Sequence, residues 1–512
     1  EVLSRTACEI GRNEITARFE VGFPAFGRTI NSGELIRIFF DFLPGCVENV
    51  FFYRRQNNAE IKNRITLADD QQFIRNELKR LDLVSFVADG SILPRETGVS
   101  DRPMKGSVAF HSPDSLRITL NLPGHGPISG MAIHRGITLI VGGGYHGKST
   151  LLKALESGVY NHIPGDGREY VITDETAVKL RAEDGRSINH VDISLFIRDL
   201  PNKKDTTCFS TADASGSTSQ AAAVIESIEA GTRAFLIDED TSATNFMLRD
   251  DLMQRIVSRD KEPITPFIER ARDLYKQAGI STVLVAGSSG AYFFIADTII
   301  QMDAYRPFDI TEMVKNACEQ EVSKPAIQAP GFKLPTAGRK LAAGGTGRAV
   351  GAMALNFGDS RAEAGGESQE EGENSGRSGR FGNRGGSASD AGRFERGRGG
   401  RREADRNSDR NTRIKVRVHD KHSFQVAKEP VDLRFVEQLA DSEQTAALAQ
   451  MVRYCLEKGL LERCTVQETV ATLLKAYEAD GLSVFSDASY AVMGLAMPRV
   501  QEIYACLNRF RG

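Results

Sequence analysis

Three stretches carry side chains that could handle phosphate together. The first runs Gly142-Gly143-Gly144-Tyr145-His146-Gly147-Lys148-Ser149-Thr150. It fits G-x-x-x-x-G-K-[ST] at every fixed position, Gly142, Gly147, Lys148 and Ser149. The glycines let backbone N–H groups turn inward around a β-phosphate, and the positive end of the following helix adds to the pull. Lys148 would bridge the β- and γ-phosphates and Ser149 would ligate Mg²⁺. The second stretch, RAFLIDEDTSATN, runs four apolar residues into Asp238 and Glu239. Asp238 would hold the Mg²⁺ shell, and Glu239 is placed to polarise an attacking water. Alone, such a pair reads as solvated acids at a strand end. The third stretch holds Ser215, Gly216 and Ser217 before an Ala-rich helix, 23 residues ahead of Asp238. That is a second helix N-terminus able to receive phosphate.

The elements that must position these groups follow from the apolar pattern. ITLIV, YVIT, VDISLFI, AFLID and STVLVAG read as short buried strands. Helical segments such as TPFIERARDLYKQAG separate several of them. The expected class is α/β, a largely parallel sheet with covering helices. Upstream, SGELIRIFFDFL from Ser32 suits a capped, mostly apolar helix. DDQQFIRNELKRL places Ile74, Leu78 and Leu81 on one face, with Arg75, Lys79 and Arg80 outside. With Arg54, Arg55, Lys62 and Arg64 these form either a solvated surface or a basic patch for a polyanion. Residues 88–104 read as a Pro- and Gly-punctuated loop, whose Arg95 and Arg102 reach phosphates or cap turns.

Composition divides the 512 residues into four parts: an α/β segment 1–130, a head 131–334, an insertion 335–412 and a mainly helical segment 413–512. The insertion is Gly/Arg/Ser-rich, with RGG triplets at Arg384 and Arg398. It lacks the apolar content to offset chain entropy and is expected to be disordered. It serves as a linker or as an RNA contact. A net charge of −3 names no partner. No apolar run reaches about 18 residues, so no membrane span is expected. Seven scattered cysteines without a CxxC pair point to free thiols in a reducing compartment. The sequence begins with Glu1 rather than Met, which leaves room for a removed targeting segment.

In their order, the three motifs resemble the head of an ATP-binding-cassette (ABC) ATPase. ASGST is similar to that family's signature turn, DEDTSATN to its D-E-P-T-S-A-L-D stretch. The resemblance implies ATP and Mg²⁺ as ligands. It also implies a composite site, in which Lys148, Ser149, Asp238 and Glu239 of one chain face Ser215, Gly216 and Ser217 of another, and hence a homodimer. Three departures bear on hydrolysis rate. Ser288 or Ser289 stands where the family places a switch histidine. Asn189, His190 or Asp192 substitutes for a glutamine. Asp240 and Asn245 replace a proline and an aspartate. Tyr145 and His146, at the tip of the turn, become candidates for sensing the facing subunit.

DGSILPRETGVSDRPM and VDLRFVEQLADSEQTAAL extend the likeness to the soluble ATPases of the ABC class. The Gly/Arg-rich insertion makes the chain most similar to those associated with kinetoplastid mitochondrial RNA editing. That likeness implies an RNA-binding ATPase, an RNA-editing accessory complex as partner and a mitochondrial matrix location. Two alternatives stand beside it: an RNA-binding module with a nearly inactive head used as a slow nucleotide switch, and a soluble subunit of a transporter.

Overall fold

In the computed structural model the chain opens with two small antiparallel pairs, β1 (Cys8–Ile10) with β2 (Ile15–Ala17) and β3 (Ala25–Phe26) with β4 (Thr29–Ile30). A helical run follows, α1 (Ser32–Arg37), a wider π-type turn over Ile38–Phe42, and α2 (Leu43–Phe51). Pro44 cannot donate to the helical ladder, and the wide turn sits where that bond is missing. The cap is Asn31, whose Oδ1 accepts from the Glu34 N–H at 3.2 Å, rather than the expected Ser32. No residue of this run is buried. The described residues are 1–249, 256, 261–287, 289–320, 329–335, 338–341, 414–486, 488 and 492–511. The Gly/Arg/Ser-rich stretch with Arg384 and Arg398, and Ser288, lie outside them.

Helix α3 (Asn58–Arg80) lies on an antiparallel sheet built from β5 (Leu83–Ala88), β6 (Arg117–Leu122) and β7 (Gly126–His134). Ile74 and Leu78 pack there with Phe86, Leu120 and Ile172. The next strand, β8 (Ile137–Val141), leads through the glycine turn into α4 (Lys148–Ser157). β9 (Val171–Thr173) returns to pair with β5, giving the order β6-β7-β5-β9. The boundary expected at residue 130 therefore falls inside β7, in a sheet that includes β9 of the head.

After β10 (Val178–Leu180), the hairpin of β11 (Arg186–Val191) and β12 (Phe209–Ala214) precedes α5 (Gly216–Glu229). β13 (Ala234–Asp238), α6 (Thr244–Met247), β14 (Ser281–Val285), β15 (Thr298–Asp303) and β16 (Arg306–Asp309) complete the head. Its sheet runs β10-β13-β14-β8-β15-β16, parallel except for β16. Side chains alternate across it. Phe235, Ile237 and Leu139 pack beside α5 residues and the helix Phe267–Ala278. Leu236, Ile140 and Val283 pack with α4 and with Val84, Val87 and Met131 of the other sheet. Both faces are covered, so the strands read as unbroken apolar runs. VDISLFI differs from expectation: only Val191 is in a strand, and Ile193–Ile197 is a buried turn.

The C-terminal part pairs β17 (Val416–Asp420), β18 (Ser423–Val426) and β19 (Glu429–Asp432) antiparallel. Helices Ser442–Glu457, Val466–Asp480 and Val500–Arg509 follow. After β19 the first of these helices starts at Ser442, where Asp441 and Gln444 form a capping box. Gln438 docks this part on the head: its Oε1 accepts from Lys179 N at 2.9 Å, and its Nε2 donates to Glu156 O and Ala177 O at 3.2 Å.

Candidate nucleotide site

Parallel strands deliver their C-terminal ends to one edge, where β8 leads into the phosphate loop and β13 ends at Asp238, while the Ser215 turn follows β12 of the separate hairpin. Gly142 has φ 141°, and a Cβ there would stand 2.4 Å from Met302 O. Gly147, at φ 97°, would put a Cβ 2.7 Å from Tyr305 Cδ1. Both positions exclude side chains, which lets the turn pack closely against Met302 and Tyr305. Lys148 Nζ donates to Gly142 O at 2.7 Å and Gly143 O at 2.9 Å, so its ammonium sits inside the loop. Ser149 is exposed in the first turn of α4, followed by half-buried Thr150.

The two tip residues diverge. Tyr145 is fully exposed at φ 65°. His146 turns back on its own chain: its Nδ1 lies 2.8 Å from Asp303 Oδ1 and 3.0 Å from the Ala304 N–H. It holds the β15–β16 turn, so of the two only Tyr145 projects freely.

Asp238 ends β13 and is buried. Burial is the main influence on its carboxyl and raises it above the ordinary carboxylate range, against the pull of Lys179. Its Oδ1 accepts from Asp240 N at 3.3 Å. Glu239 is half-buried, and its Oε2 accepts from the Gly287 N–H at 2.7 Å. Gly287 lies just past β14, next in sequence to Ser288 and Ser289, one of which is expected at the switch position. Ser289 Oγ accepts from Ala291 N, which makes it a local cap.

Ser215 is the N-cap of α5, with Gly216 and Ser217 in its first turn. Ser217 Oγ donates to Asn245 Oδ1 at 2.8 Å, and Gln220 Oε1 accepts from Ala243 N at 2.9 Å. Gln220 Nε2 also donates to Ser242 Oγ at 3.0 Å. The segment after Asp238 is thus tied to the Ser215 turn within one chain. Sequence reading passed over Gln220; its polar side chain in an Ala-rich apolar helix was the available signal.

The glutamine substitutes sit elsewhere. Asn189 Nδ2 donates to Phe510 O at 3.2 Å, and its own carbonyl accepts from Arg339 at 2.8 Å. His190 Nδ1 faces Lys340 O at 3.4 Å, and Asp192 Oδ1 caps Ser194 N at 2.9 Å. Asn189 and His190 contact the chain's C-terminal segments, not the phosphate loop.

The basic residues also need one correction. Arg54, Arg55, Lys62, Arg64, Lys79 and Arg80 are exposed. Arg75 is not: it is buried and donates to Asn161 Oδ1 at 2.9 Å and to Thr173 O at 3.1 Å. Burial lowers its guanidinium to about 10. Helix α3 is covered on two sides, so the residue next to Ile74 is interior too. Most of the exposed cations pair with carboxylates, Arg55 with Glu48, Arg64 with Glu60, Lys79 with Glu175 and Arg80 with Glu77. Arg54 lies over the Phe52 ring. Of the loop arginines, Arg95 binds Asp166 at 2.9 Å.

The family model ABC_ATPase, a P-loop domain, matches residues 57–334. The chain belongs to this ABC ATPase family. Two further models match its flanks, the N-terminal region of ATPases of the ABC class over residues 1–54 and the MRB1590 C-terminal domain over residues 415–512. The ABC ATPase chain is 31% identical over 239 residues to the uncharacterized protein MJ1628 of Methanocaldococcus jannaschii, covering 45% of this chain and 51% of that protein. It therefore spans about half the length of the curated relative it matches. Among solved structures it is similar to cbiO1 from Clostridium perfringens, part of the ABC transporter complex cbiONQ (14% identity, 46% of this chain, 92% of that one, TM-score 0.29). It is also similar to the ADP conformation of MJ1267, an ATP-binding cassette of an ABC transporter (13%, 38%, 88%, TM-score 0.26). Among the described residues no helix is long and apolar enough to cross a membrane.

Proposed function

We propose that this chain is a Mg²⁺-dependent ATPase that works as a homodimer on RNA. One observation carries the reading: within one chain the phosphate loop and the Ser215 turn, read as two halves of a phosphate site, each bond their own neighbours. Lys148 and Ser149 stand at one half, while the side chains of Ser215 and Ser217 bond Thr218 and Asn245. A second copy would bring its Ser215 turn to the first copy's phosphate loop. The N-terminal segment supports pairing as well, with Phe26 76% and Phe40 74% exposed among many apolar neighbours.

The residues fit the ligands. The glycine cradle is open, Lys148 is aimed into it, and Asp238 is a buried carboxylate without a contacting ammonium or guanidinium among the described residues. Ser149 and Asp238 would hold Mg²⁺, which when bound neutralises charge building on the phosphates. Lys148 would exchange its carbonyl partners for phosphate oxygens. Glu239, fixed by the Gly287 N–H, would orient water and take its proton. Dimer closure would bury this chemistry, and product release would reopen it.

RNA would bind the exposed cations Arg54, Arg55, Lys62, Arg64, Lys79 and Arg80, displacing their carboxylate partners. The match to the MRB1590 C-terminal domain supports an RNA-editing context in the mitochondrial matrix. Filter binding of single-stranded RNA in rising salt tests the RNA part: affinity should fall steeply. Steady-state hydrolysis with and without RNA tests the engine. A slower switch is the second reading, favoured by Ser288 or Ser289 standing where the family places a switch histidine. Robust turnover that Lys148→Ala abolishes would exclude it.

A further inference from the structure

The phosphate loop accounts for the phosphates of a nucleotide and leaves its base unplaced. We infer that Tyr305 is the nucleobase platform, in a cleft that the C-terminal part helps to wall. The inference rests on the nucleotide reading above.

Tyr305 lies in the turn between β15 and β16. Ala304 and Tyr305 both take left-handed backbone angles, φ 46° and 65°. Two consecutive non-glycine residues in that region are costly and persist only where their surroundings hold them. Here the holder is the phosphate loop: Tyr305 N donates to His146 O at 3.0 Å, and His146 Nδ1 faces the Ala304 N–H. The turn's shape sends the ring over Gly147, so close that a Cβ on that glycine would meet Cδ1 at 2.7 Å. One ring edge is thus fixed against the loop, while Tyr305 remains 41% exposed.

The exposed side faces a cleft of about 780 Å³, a size suited to a nucleoside. Ser149 and Thr150 at the start of α4 line the same cleft, so it is continuous with the site read for phosphate. The same cleft is lined by Val99, almost wholly exposed, and Met104, both apolar and on the 89–113 loop. Apolar surface left open beside a ring, next to a phosphate loop, is what a flat heteroaromatic base would cover. Lys421 and Arg434 come from the C-terminal part and give the rim cationic, hydrogen-bonding groups for a ribose or base edge. The platform follows the phosphate loop by some 160 residues in sequence, so a search upstream of the loop cannot find it.

The test compares ATP with inorganic tripolyphosphate, which keeps the phosphates and lacks the base. Both are titrated calorimetrically into the full chain and into Tyr305→Phe and Tyr305→Gly. The glycine variant suits the left-handed backbone and removes the ring; melting curves confirm its fold. Tyr305→Phe should bind ATP within about threefold of the parent, since the ring stays. Tyr305→Gly should weaken ATP by roughly tenfold or more, the size of one base–aromatic stack, and leave tripolyphosphate unchanged. Equal weakening of both ligands would make Tyr305 a support for the loop and overturn the inference. So would unchanged ATP affinity in Tyr305→Gly. If the parent chain bound neither ligand, the nucleotide reading itself would fall, and the platform with it.

Discussion

The backbone N–H of Gly287 donates to Oε2 of Glu239 at 2.7 Å, linking the end of β14 to the residue after Asp238. Holding Glu239 by this oxygen fixes the direction from which its carboxylate can meet a water. Glu239→Gln keeps the shape and the contact but cannot accept a proton. Turnover should drop about 100-fold or more while ATP still binds. Sedimentation with ATP should then show an accumulated dimer. Unchanged turnover and unchanged sedimentation would remove Glu239 from its role.

Asp238 makes the metal dependence pH-sensitive. Burial raises its carboxyl, so the proton competes with Mg²⁺ at higher pH than at an exposed aspartate. The Mg²⁺ concentration needed for half-maximal turnover should rise as pH falls, starting at a higher pH than an exposed aspartate would give. Asp238→Asn should bind Mg²⁺ far more weakly and lose the steeper part of that dependence. A chelator should stop turnover in the parent chain. Identical pH profiles for the two would sink the assignment.

How much of this was legible in the sequence depends on the range of the interactions. The phosphate loop, β13 and β14 are local patterns: an apolar run with both faces covered, then a turn residue type that admits little else. Those were readable, as were the helix Phe267–Ala278 and the α3 face at Ile74 and Leu78. The partners of each site residue were not. Gln220 and Asn245 matter through contacts across 23 and 28 residues. Gln438 reaches Lys179 across 259. VDISLFI shows the opposite failure: a buried apolar run carries no period that separates a strand from a buried turn.

Arg75 shows why one helical face was misread, and it offers a test of where RNA binds. Its guanidinium satisfies Asn161 Oδ1 and the carbonyls of Thr173 and Gly158 inside the protein. Arg75→Ala should take this donor from Asn161 Oδ1 and Thr173 O and destabilise the fold by about 3 kcal/mol. RNA affinity of the folded fraction should not change. Lys79→Glu with Arg80→Glu should do the reverse, lowering RNA affinity several-fold at low salt with little shift in melting temperature. An Arg75 variant that melts normally yet loses RNA would restore Arg75 to the patch.

Asp166 anchors the loop that borders the cleft, through Arg95 at 2.9 Å and the His162 imidazole, also 2.9 Å away. Burial alone would raise its carboxyl; the imidazole and the guanidinium outweigh it and bring it to about 2. A depressed carboxyl stabilises the fold above its unfolded value near 4, and that stability is lost as pH falls from about 4 to 2. Asp166→Asn should therefore cost about 2 kcal/mol at neutral pH. In urea unfolding the gap between parent and variant should hold constant above about pH 5 and narrow below pH 4. A gap of the same size at pH 3 and pH 7 would mean the variant acts by packing and not through charge.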